Sequence, residues 1–525
     1  MAKTKPAVAP KREVKPKQSA PVKPIPWAKY GMWAALVVIS ITFWFLYNTI
    51  FDHKPDMNGD NFAYILLGKR FIAGLGFTDA TSRELRPHIH FSPGYPLMIA
   101  GIMKIFGEEQ DTISFANGVM MYLSLILLFF IGRRLTGSTI AAFVIAFLCA
   151  VNSFLLRFST ITMSEIPYVF ICTLAIYTFI RAVDDPRNWK SPWLYISIAL
   201  MVFSYYMKAN SIAFLVGMGA YFLFSRDWRR MLISVVLFIA AIFPWYLRTK
   251  RTGSSYMSQM MQVNPYKPEL GKVTLPTMIE RIHSNIIRYF TCDIPLNIFP
   301  NETNADKAST GYWILGMAML GLMLWGLYKL KDLRLLILGY FAGSLAILMI
   351  WPTEYGFIRY ATPFVPIILL LCINGIKALA DLAIGEKNGS YVTLGFLLVG
   401  LVYSKPIDQL EEQARQPIQP NYENYFAIAR WAKEHTPKDA TFSARKPDMF
   451  IYYSDRMCIG DKPSLIDTEV LDFFREHKVD YVCVEQLGFS STGKYLIPAL
   501  QKNPANFEVV YHLPNPDTYL LKFKP

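Results

Sequence analysis

Eleven long stretches of this 525-residue chain contain no Asp, Glu, Lys or Arg, and this spacing of charge constrains the fold more than any other feature. Each stretch is 15 to 22 residues long, and a helix needs about 17–25 residues to cross the apolar core of a bilayer. The shorter stretches can span it if flanking Lys and Arg side chains extend to the headgroups. One such stretch could be a buried core helix, but eleven predict a polytopic α-helical membrane protein. The stretches are residues 30–51, 112–132, 135–156, 166–180, 191–207, 209–225, 231–247, 308–328, 335–353, 360–376 and 388–404.

The basic residues predict the orientation of these spans. Residues 1–30 carry a net charge of +7, so we expect 1–29 to be a disordered cytoplasmic tail preceding a transmembrane module over 30–404. If the spans alternate from there, every cytoplasmic turn is basic, and the outer face receives the loops 52–111 and 248–307 and the last 121 residues. The net charge of +14 therefore indicates orientation in a membrane and not nucleic-acid binding. No signal-peptide pattern precedes the first apolar stretch.

Residues 405–525 predict an extracytoplasmic α/β domain, because they are ordinary in composition and have a net charge of −2. Their pattern predicts helices at 425–435 and 471–477, strands at 449–453 and 481–484, and a hairpin of 507–513 with 518–523. The six cysteines show no CxxC spacing and signal neither a metal site nor a disulfide framework, although a Cys458–Cys483 disulfide stays open.

Two carboxylates stand out on the predicted outer side. Asp60 precedes an apolar pattern with helical spacing, so it lies at or beside a helix N-terminus and could simply cap that helix. Glu165 follows Ser164, the expected cap of another helix, and could likewise only favour the helix dipole. It lies at a membrane boundary, however, where ionisable groups are costly and usually functional. A further helix is expected over 97–106, in the membrane interface.

Cations on the same side complete the set of candidates. Lys208 and Arg359 are unusual there, because outer boundaries are normally depleted of positive charge. Lys250 and Arg251 are more simply explained as interfacial anchors. His88, His90 and His283 could bind a metal, but an HxH pattern alone is weak, so no metal ligand is assigned and a divalent cofactor stays open. A carboxylate can take a proton from an attacking hydroxyl, and Lys or Arg can stabilise a departing phosphate.

These residues resemble those of the GT-C membrane glycosyltransferases, in particular the protein mannosyltransferase-like bacterial branch that includes the lipid A aminoarabinose transferases. The resemblance covers roughly residues 30–380. It rests on Asp60 with Tyr64 in DNFAY and the following GKRFIAGLGF, on SPGYP at 92–96, on SEIP at 164–167, and on Arg359–Tyr360 followed by Pro363 and Pro366.

The resemblance implies an inverting transfer of a sugar from a polyprenyl-phosphate donor at the outer face of a bacterial inner membrane. It implies that Asp60 is the catalytic general base and Glu165 a second acidic group, with Lys208 and Arg359 against the donor phosphate. The neighbouring residues expected to bind substrate are Tyr64, His90 and Tyr360.

The sequence departs from the protein mannosyltransferases of eukaryotes in two ways: Asn61 stands where those enzymes carry Glu, and their large lumenal insert is missing. The acceptor could therefore be a lipid, a glycan or a protein, and the C-terminal domain is expected to bind it. Two other classes stay open. A secondary transporter would usually show paired halves and broken helices, and neither is evident; a non-catalytic subunit for polysaccharide assembly or export would bind the same donor without turnover.

Overall fold

The computed structural model describes residues 27–57, 60–253, 255–265, 267, 270–300, 309–330, 332–355 and 357–525. The part of the predicted tail up to residue 26 lies outside this range, and α1 begins at Trp27. The helices up to the end of the membrane part are α1 (Trp27–Ile50), α2 (Asp60–Ile72), α3 (Gly94–Phe106), α4 (Gln110–Thr136), α5 (Thr139–Val151), α6 (Ser153–Ser159), α7 (Glu165–Asp184), α8 (Pro192–Met207), α9 (Ala213–Phe224), α10 (Trp228–Thr252), α11 (Ser255–Met260), α12 (Leu275–Arg288), α13 (Ile294–Ile298), α14 (Thr310–Lys329), α15 (Arg334–Met349), α16 (Phe357–Ala361), α17 (Val365–Ile384) and α18 (Glu386–Val392).

All eleven apolar stretches are helical. Within the described residues, seven helices are long and apolar enough to cross a membrane, and the bent pair α5–α6 makes an eighth if it is one span. The three other stretches form the shorter apolar helices Pro192–Met207, Ala209–Phe224 and Arg334–Met349. At 1.5 Å per residue these are shorter than the roughly 30 Å apolar core, so their assignment as spans stays a prediction. The polytopic membrane fold is confirmed.

The membrane helices α9 and α15 pack through small residues. A Cβ added at Gly339 would meet the backbone of Gly217, and one added at Gly217 would meet the carbonyl oxygen of Leu336 at 2.6 Å. Small residues of this kind let the backbones of membrane helices approach closely, and here they fix where the two helices cross.

Helices α2 and α3 follow the first span, in agreement with the sequence analysis. Helix α2 starts at Asp60 and ends with Lys69 and Arg70 in its last turn, charges that suit the two ends of the helix dipole. Gly74 then takes a φ of +74°, which favours glycine and ends the helix. The two helices pack against each other and carry Tyr64 and Tyr95 in one aromatic contact, with ring centroids 5.0 Å apart.

The C-terminal part holds a five-stranded sheet. After α19 (Ser404–Arg415) and α20 (Pro420–His435) come β1 (Thr441–Ser443), α21 (Pro447–Ser454), β2 (Met457–Ile459), α22 (Asp467–Glu476), β3 (Tyr481–Val484), α23 (Ile497–Lys502), β4 (Phe507–Leu513) and β5 (Thr518–Phe523). The strand order is β2-β1-β3-β5-β4. The first three strands are parallel, and β5 pairs antiparallel with both β3 and β4. The predicted hairpin, β3 and the two predicted helices are confirmed.

The strand predicted over 449–453 is wrong, because these residues form α21. Pro447 starts the helix, and all five residues from 449 to 453 are buried in the domain core or packed against it, without the alternation of a strand that buries one face. The strands β1 and β2 were not predicted, since three residues are too few to show a pattern.

The Cys458–Cys483 disulfide does not form. Cys458 lies on β2 and Cys483 on β3, and β1 runs between them, so the two residues are separated by two strand spacings, about 9–10 Å. A disulfide needs Cα atoms less than about 7 Å apart. Both are free, buried thiols.

The C-terminal domain docks on α2. Phe62 is fully buried in the core of that domain, with its ring 5.0 Å from the ring of Tyr452 and 5.8 Å from that of Tyr453. The helix that carries Asp60 is therefore held by the membrane body on one side and by the C-terminal domain on the other.

Candidate active site

Four charged side chains from four separate elements meet beside the start of α2. Arg359 lies between two carboxylates: its Nη1 is 2.8 Å from Oδ2 of Asp60, and its Nε is 2.8 Å from Oε1 of Glu165. Nζ of Lys208 is 3.2 Å from the same Oε1. Charge-assisted hydrogen bonds of this length are strong. The structure thus brings together all four charged residues that the sequence analysis singled out.

The two carboxylates differ in their surroundings. The side chain of Glu165 is fully buried, whereas that of Asp60 is 33% exposed. The second oxygen of Glu165, Oε2, has no hydrogen-bond partner among the described residues. Glu165 is therefore placed to hold the two cations, and Asp60 is the carboxylate that a substrate can reach.

The sequence analysis expected Ser164 to cap α7, and this is wrong in detail. Ser164 occupies the N-cap position, but its hydroxyl makes no capping hydrogen bond. Its Oγ lies 3.4 Å from the hydroxyl oxygen of Tyr64 instead. Tyr64 thereby links α2 to the start of α7, and burial raises the pKa of Tyr64 well above its usual range, so its hydroxyl keeps its proton.

The other two predicted substrate-binding residues lie at the edge of this cluster. Tyr360 follows Arg359 and is half-buried, with its ring 6.5 Å from that of Trp351. His90 is half-buried in the loop of residues 73–93 between α2 and α3, and its ring stacks against Tyr256 at 5.9 Å. Both side chains interact electrostatically with Asp60, so each is a neighbour of the charged cluster.

The loop of residues 73–93 is held by hydrogen bonds and ring contacts. Nη2 of Arg248 donates to the carbonyl oxygen of His88 at 2.8 Å, and its guanidinium lies 5.3 Å from the ring centre of Phe77. Nε2 of His88 accepts a hydrogen bond from the backbone N–H of Phe91 at 3.0 Å. Burial lowers the pKa of His88 to about 4, so this imidazole is neutral and has a structural role.

A resident metal does not fit the described residues. They contain no group of three or more His, Cys, Asp or Glu side chains that could hold a metal ion. The nearest candidates, Asp60 and Glu165, both pair with Arg359. We therefore derive no chemical step through a metal.

A cavity of about 340 Å³ opens beside Asp60 on the side of the C-terminal domain. Its lining includes Asp60 and Ala63 of α2, Asp79 and His90 of the loop between α2 and α3, and residues 445–449 at the start of α21. The carboxylate of Asp60 therefore contacts Arg359 through one oxygen and also borders this solvent-accessible cavity.

Comparison with known proteins identifies the fold. Residues 90–246 match the family model of the dolichyl-phosphate-mannose-protein mannosyltransferases. The chain is similar over 94% of its length to two crystal structures of ArnT from Cupriavidus metallidurans. The structure of ArnT bound to undecaprenyl phosphate gives 13% identity and a TM-score of 0.57. The structure of ArnT in the apo state gives 12% identity and a TM-score of 0.56. In each comparison 98% of the ArnT chain is covered. This chain has the GT-C fold.

The GT-C resemblance inferred from the sequence is thereby confirmed, together with the C-terminal α/β domain. The range that matches the family model includes Glu165 and Lys208, while Asp60 and Arg359 lie outside it. No curated protein sequence is significantly similar to the chain.

The structure adds residues to which the sequence analysis gave no role in this candidate site. Asn61 is fully buried, and neither polar atom of its side chain has a hydrogen-bond partner among the described residues. Tyr256 lies between His90 and Trp351, with ring centroids 5.9 and 5.5 Å away. Residues 445–448 come from the C-terminal domain, about 385 positions further along the chain than Asp60, and no local feature of the sequence marked them.

Proposed function

We propose that this protein is a glycosyltransferase that moves a sugar from a polyprenyl-phosphate donor to an acceptor hydroxyl, with inversion at the anomeric carbon. We place the reaction at the outer face of a bacterial inner membrane, with the N-terminus in the cytoplasm and the C-terminal domain in the periplasm. The basic turns between the spans favour this orientation. In this proposal Asp60 is the general base, Glu165 organises the cations, and Lys208 and Arg359 bind the donor phosphate.

One observation carries the proposal: Arg359 joins an exposed carboxylate to a buried one at 2.8 Å on each side. Such a cluster supplies a base and two phosphate-binding cations within a few ångströms. The match to a family named for dolichyl-phosphate mannose, and the similarity to a protein solved with undecaprenyl phosphate, support a donor whose sugar is carried on a lipid phosphate.

The chemistry balances with these groups alone. The acceptor hydroxyl oxygen attacks the anomeric carbon on the face opposite the phosphate, and Asp60 takes the hydroxyl proton. The bond between the anomeric carbon and the phosphate oxygen breaks, and its electron pair stays on the phosphate. The products are the glycosylated acceptor with inverted configuration, polyprenyl phosphate and a protonated Asp60.

Arg359 is suited to the charge that moves during this step. Negative charge leaves Asp60 as it takes the proton, and negative charge grows on the departing phosphate. A guanidinium has five N–H donors in one plane, so Arg359 can keep its Nε contact with Glu165 while another N–H contacts the phosphate. Lys208, fixed on the same Glu165 oxygen, adds a second cation. Stabilisation of developing charge by fixed donors is usually a large contribution to catalysis.

The first experiment incubates the purified full-length protein with labelled polyprenyl-phosphate sugars and candidate lipid, glycan and peptide acceptors. Wild-type protein should release polyprenyl phosphate and label one acceptor class. Asp60→Asn should lower the turnover about 10²–10⁴-fold, the usual contribution of a general base. Glu84→Gln is the matched control, since Glu84 is 72% exposed in the outer loop and pairs only with the surface residue Arg86 among the contacts described.

Full transfer activity in a folded Asp60→Asn variant would refute the role of Asp60. Binding of the donor without release of polyprenyl phosphate under any acceptor would instead favour the non-catalytic alternative.

A further inference from the structure

The C-terminal domain presents the ligand-binding edge of its parallel strands towards Asp60. Strand β1 pairs in parallel with β2 on one side and with β3 on the other, so the chain changes its winding direction at β1. In open α/β sheets, ligands bind outside the carboxyl ends of the strands at such a switch point. Here the segment that leaves the carboxyl end of β1 is residues 444–448, and residues 445–448 line the cavity beside Asp60.

The polar groups at this edge are held in place by their neighbours. Oγ of Ser443 donates to Asp461 at 2.7 Å, and Nε of Arg445 donates to Oγ of Ser491 at 2.8 Å. The guanidinium of Arg445 also lies 4.6 Å from the ring centre of Phe489. Arg445 is therefore oriented by its packing against Phe489 and by its hydrogen bond to Ser491, so the guanidinium is held in place in the cavity wall.

The charge of the cavity is divided between its two walls. The C-terminal domain contributes two adjacent cations, Arg445 and Lys446, and the membrane body contributes the carboxylates Asp60 and Asp79. A guanidinium and an ammonium side by side suit an oxyanion such as a phosphate or a carboxylate. The carboxylate Asp60 lies across the same cavity, where a hydroxyl of the bound molecule could reach it.

Asp448 opposes an anion in this cavity only in part, because it is not fully ionised near neutral pH. Burial, together with the neighbouring charges of Asp79 and Asp60, raises the pKa of Asp448 to about 7. Near neutral pH a large share of this carboxyl group is protonated, and a protonated carboxyl can donate a hydrogen bond to an oxyanion.

We propose that this cavity is the acceptor site and that Arg445 and Lys446 bind an acidic group of the acceptor. The acceptor is then an anionic glycan or glycolipid whose reacting hydroxyl lies towards Asp60, and a neutral sugar chain or an unmodified peptide is disfavoured. This inference rests on the proposed transfer reaction for the role of Asp60, but the binding of an anionic sugar can be measured without turnover.

The binding test uses three probes of similar size: glucose 1-phosphate, glucuronic acid and glucose. Their dissociation constants are measured by ligand-observed NMR on the full-length protein in detergent, with polyprenyl phosphate present to fill the donor site. We expect at least one anionic sugar to bind tenfold or more tightly than glucose. If only glucose 1-phosphate binds more tightly than glucose, the acidic group of the acceptor is a phosphate. If glucose 1-phosphate and glucuronic acid bind equally tightly, the site accepts either a phosphate or a carboxylate.

The variants decide whether Arg445 and Lys446 cause this preference. The double variant Arg445→Gln/Lys446→Gln should lose the tenfold preference, and Lys446→Gln alone should lose part of it if the double variant does not fold. The control Arg475→Gln/Lys478→Gln removes the same charge from exposed positions of the same domain and should bind as wild type does. Equal binding of all three sugars, or an anion preference that survives in Arg445→Gln/Lys446→Gln, would overturn the inference.

Turnover separates this inference from the proposed function. In the variant Arg445→Gln/Lys446→Gln, the KM for an anionic acceptor should rise at least tenfold while the KM for the donor stays within twofold. If the wild type transfers sugar equally well to charged and uncharged forms of one acceptor, the transfer reaction stands and the acceptor class is wrong. If no sugar is transferred at all but the anion preference is measured, the site stands and the transfer reaction is wrong.

Discussion

Replacing Glu165 by Gln should destabilise the protein far more than the corresponding change at Asp60. Both carboxylates pair with Arg359 at 2.8 Å, but Glu165 is fully buried and Asp60 is 33% exposed. The two variants therefore remove the same charge from the same cation in two different environments, which makes them a matched pair.

The magnitude follows from the partners of Glu165. Its Oε1 accepts from Arg359 at 2.8 Å and from Lys208 at 3.2 Å. Removing one member of a buried ion pair costs about 3–5 kcal/mol, because the other charge is left without compensation. The amide oxygen of Gln can still accept a hydrogen bond, so we expect about 3 kcal/mol for Glu165→Gln. The pair of Arg359 with Asp60 is only part-buried, and in Asp60→Asn the cation keeps Glu165 as a partner, so we expect a smaller loss of about 1 kcal/mol for that variant.

The assay is equilibrium unfolding in mixed micelles of a mild detergent and SDS, with transfer activity measured on the same preparations. Asp60→Asn should unfold close to the wild-type midpoint and be inactive, whereas Glu165→Gln should unfold at a clearly lower SDS fraction. Equal stabilities of the two variants, or a greater loss for Asp60→Asn, would refute the argument that Glu165 holds the cations and Asp60 meets the substrate.

Three further predictions test the packing and the electrostatics. Phe62→Ala should cost about 3–5 kcal/mol and increase hydrogen exchange in α21, because the fully buried ring joins α2 to the C-terminal domain; unchanged exchange in α21 would contradict this docking. Gly339→Ala should lower the thermal midpoint, because its Cβ would meet Gly217, while the control Gly321→Ala, with open space around it, should not; equal midpoints would contradict the close crossing of α9 and α15. The pKa of Asp448 is raised from 3.8 to about 7, so the folded state holds a proton that the unfolded state releases, and the free energy of unfolding should fall as pH rises from about 4 to about 7. Asp448→Asn should reduce that slope, measured by thermal unfolding at each pH, but not abolish it, since the pKa of Asp461 is also raised, to about 6; an unchanged slope would contradict the shift.

Much of the membrane body was predictable because its signal is local. A helix in lipid must satisfy its own backbone groups and carry apolar side chains, so an uncharged stretch of sufficient length is enough to indicate one. The hairpin of residues 507–513 and 518–523 was equally local, since a turn at Asn515–Pro516 separates two strand patterns. The helix α21 was mistaken for a strand because aromatic and β-branched residues favour strands on average, and here the packing of the folded domain overrides that preference.

The residues of the candidate site also differ in whether the sequence marked them. Asp60 could be selected from its place at the start of an apolar helical pattern and from the family resemblance. Glu165, Lys208 and Arg359 could be selected because each is a charge at a membrane boundary, where such charges are costly or rare. Arg445, Lys446 and Asp448 could not, because charged residues are common in a water-exposed domain and no local cost marks them.

The sequence by itself determined that the chain enters a membrane, which turns carry the positive charge, and which outer charges are candidates for chemistry. These properties depend on hydrophobicity and charge counted along the chain. Only the tertiary structure decided that Arg359 joins Asp60 to Glu165, that Phe62 fixes the C-terminal domain on α2, and that the carboxyl edge of its parallel strands lines a cavity beside Asp60. Each of these contacts joins residues from about 190 to almost 400 positions apart in the sequence. Such contacts depend on how whole helices and strands pack, and no local pattern of residues encodes them.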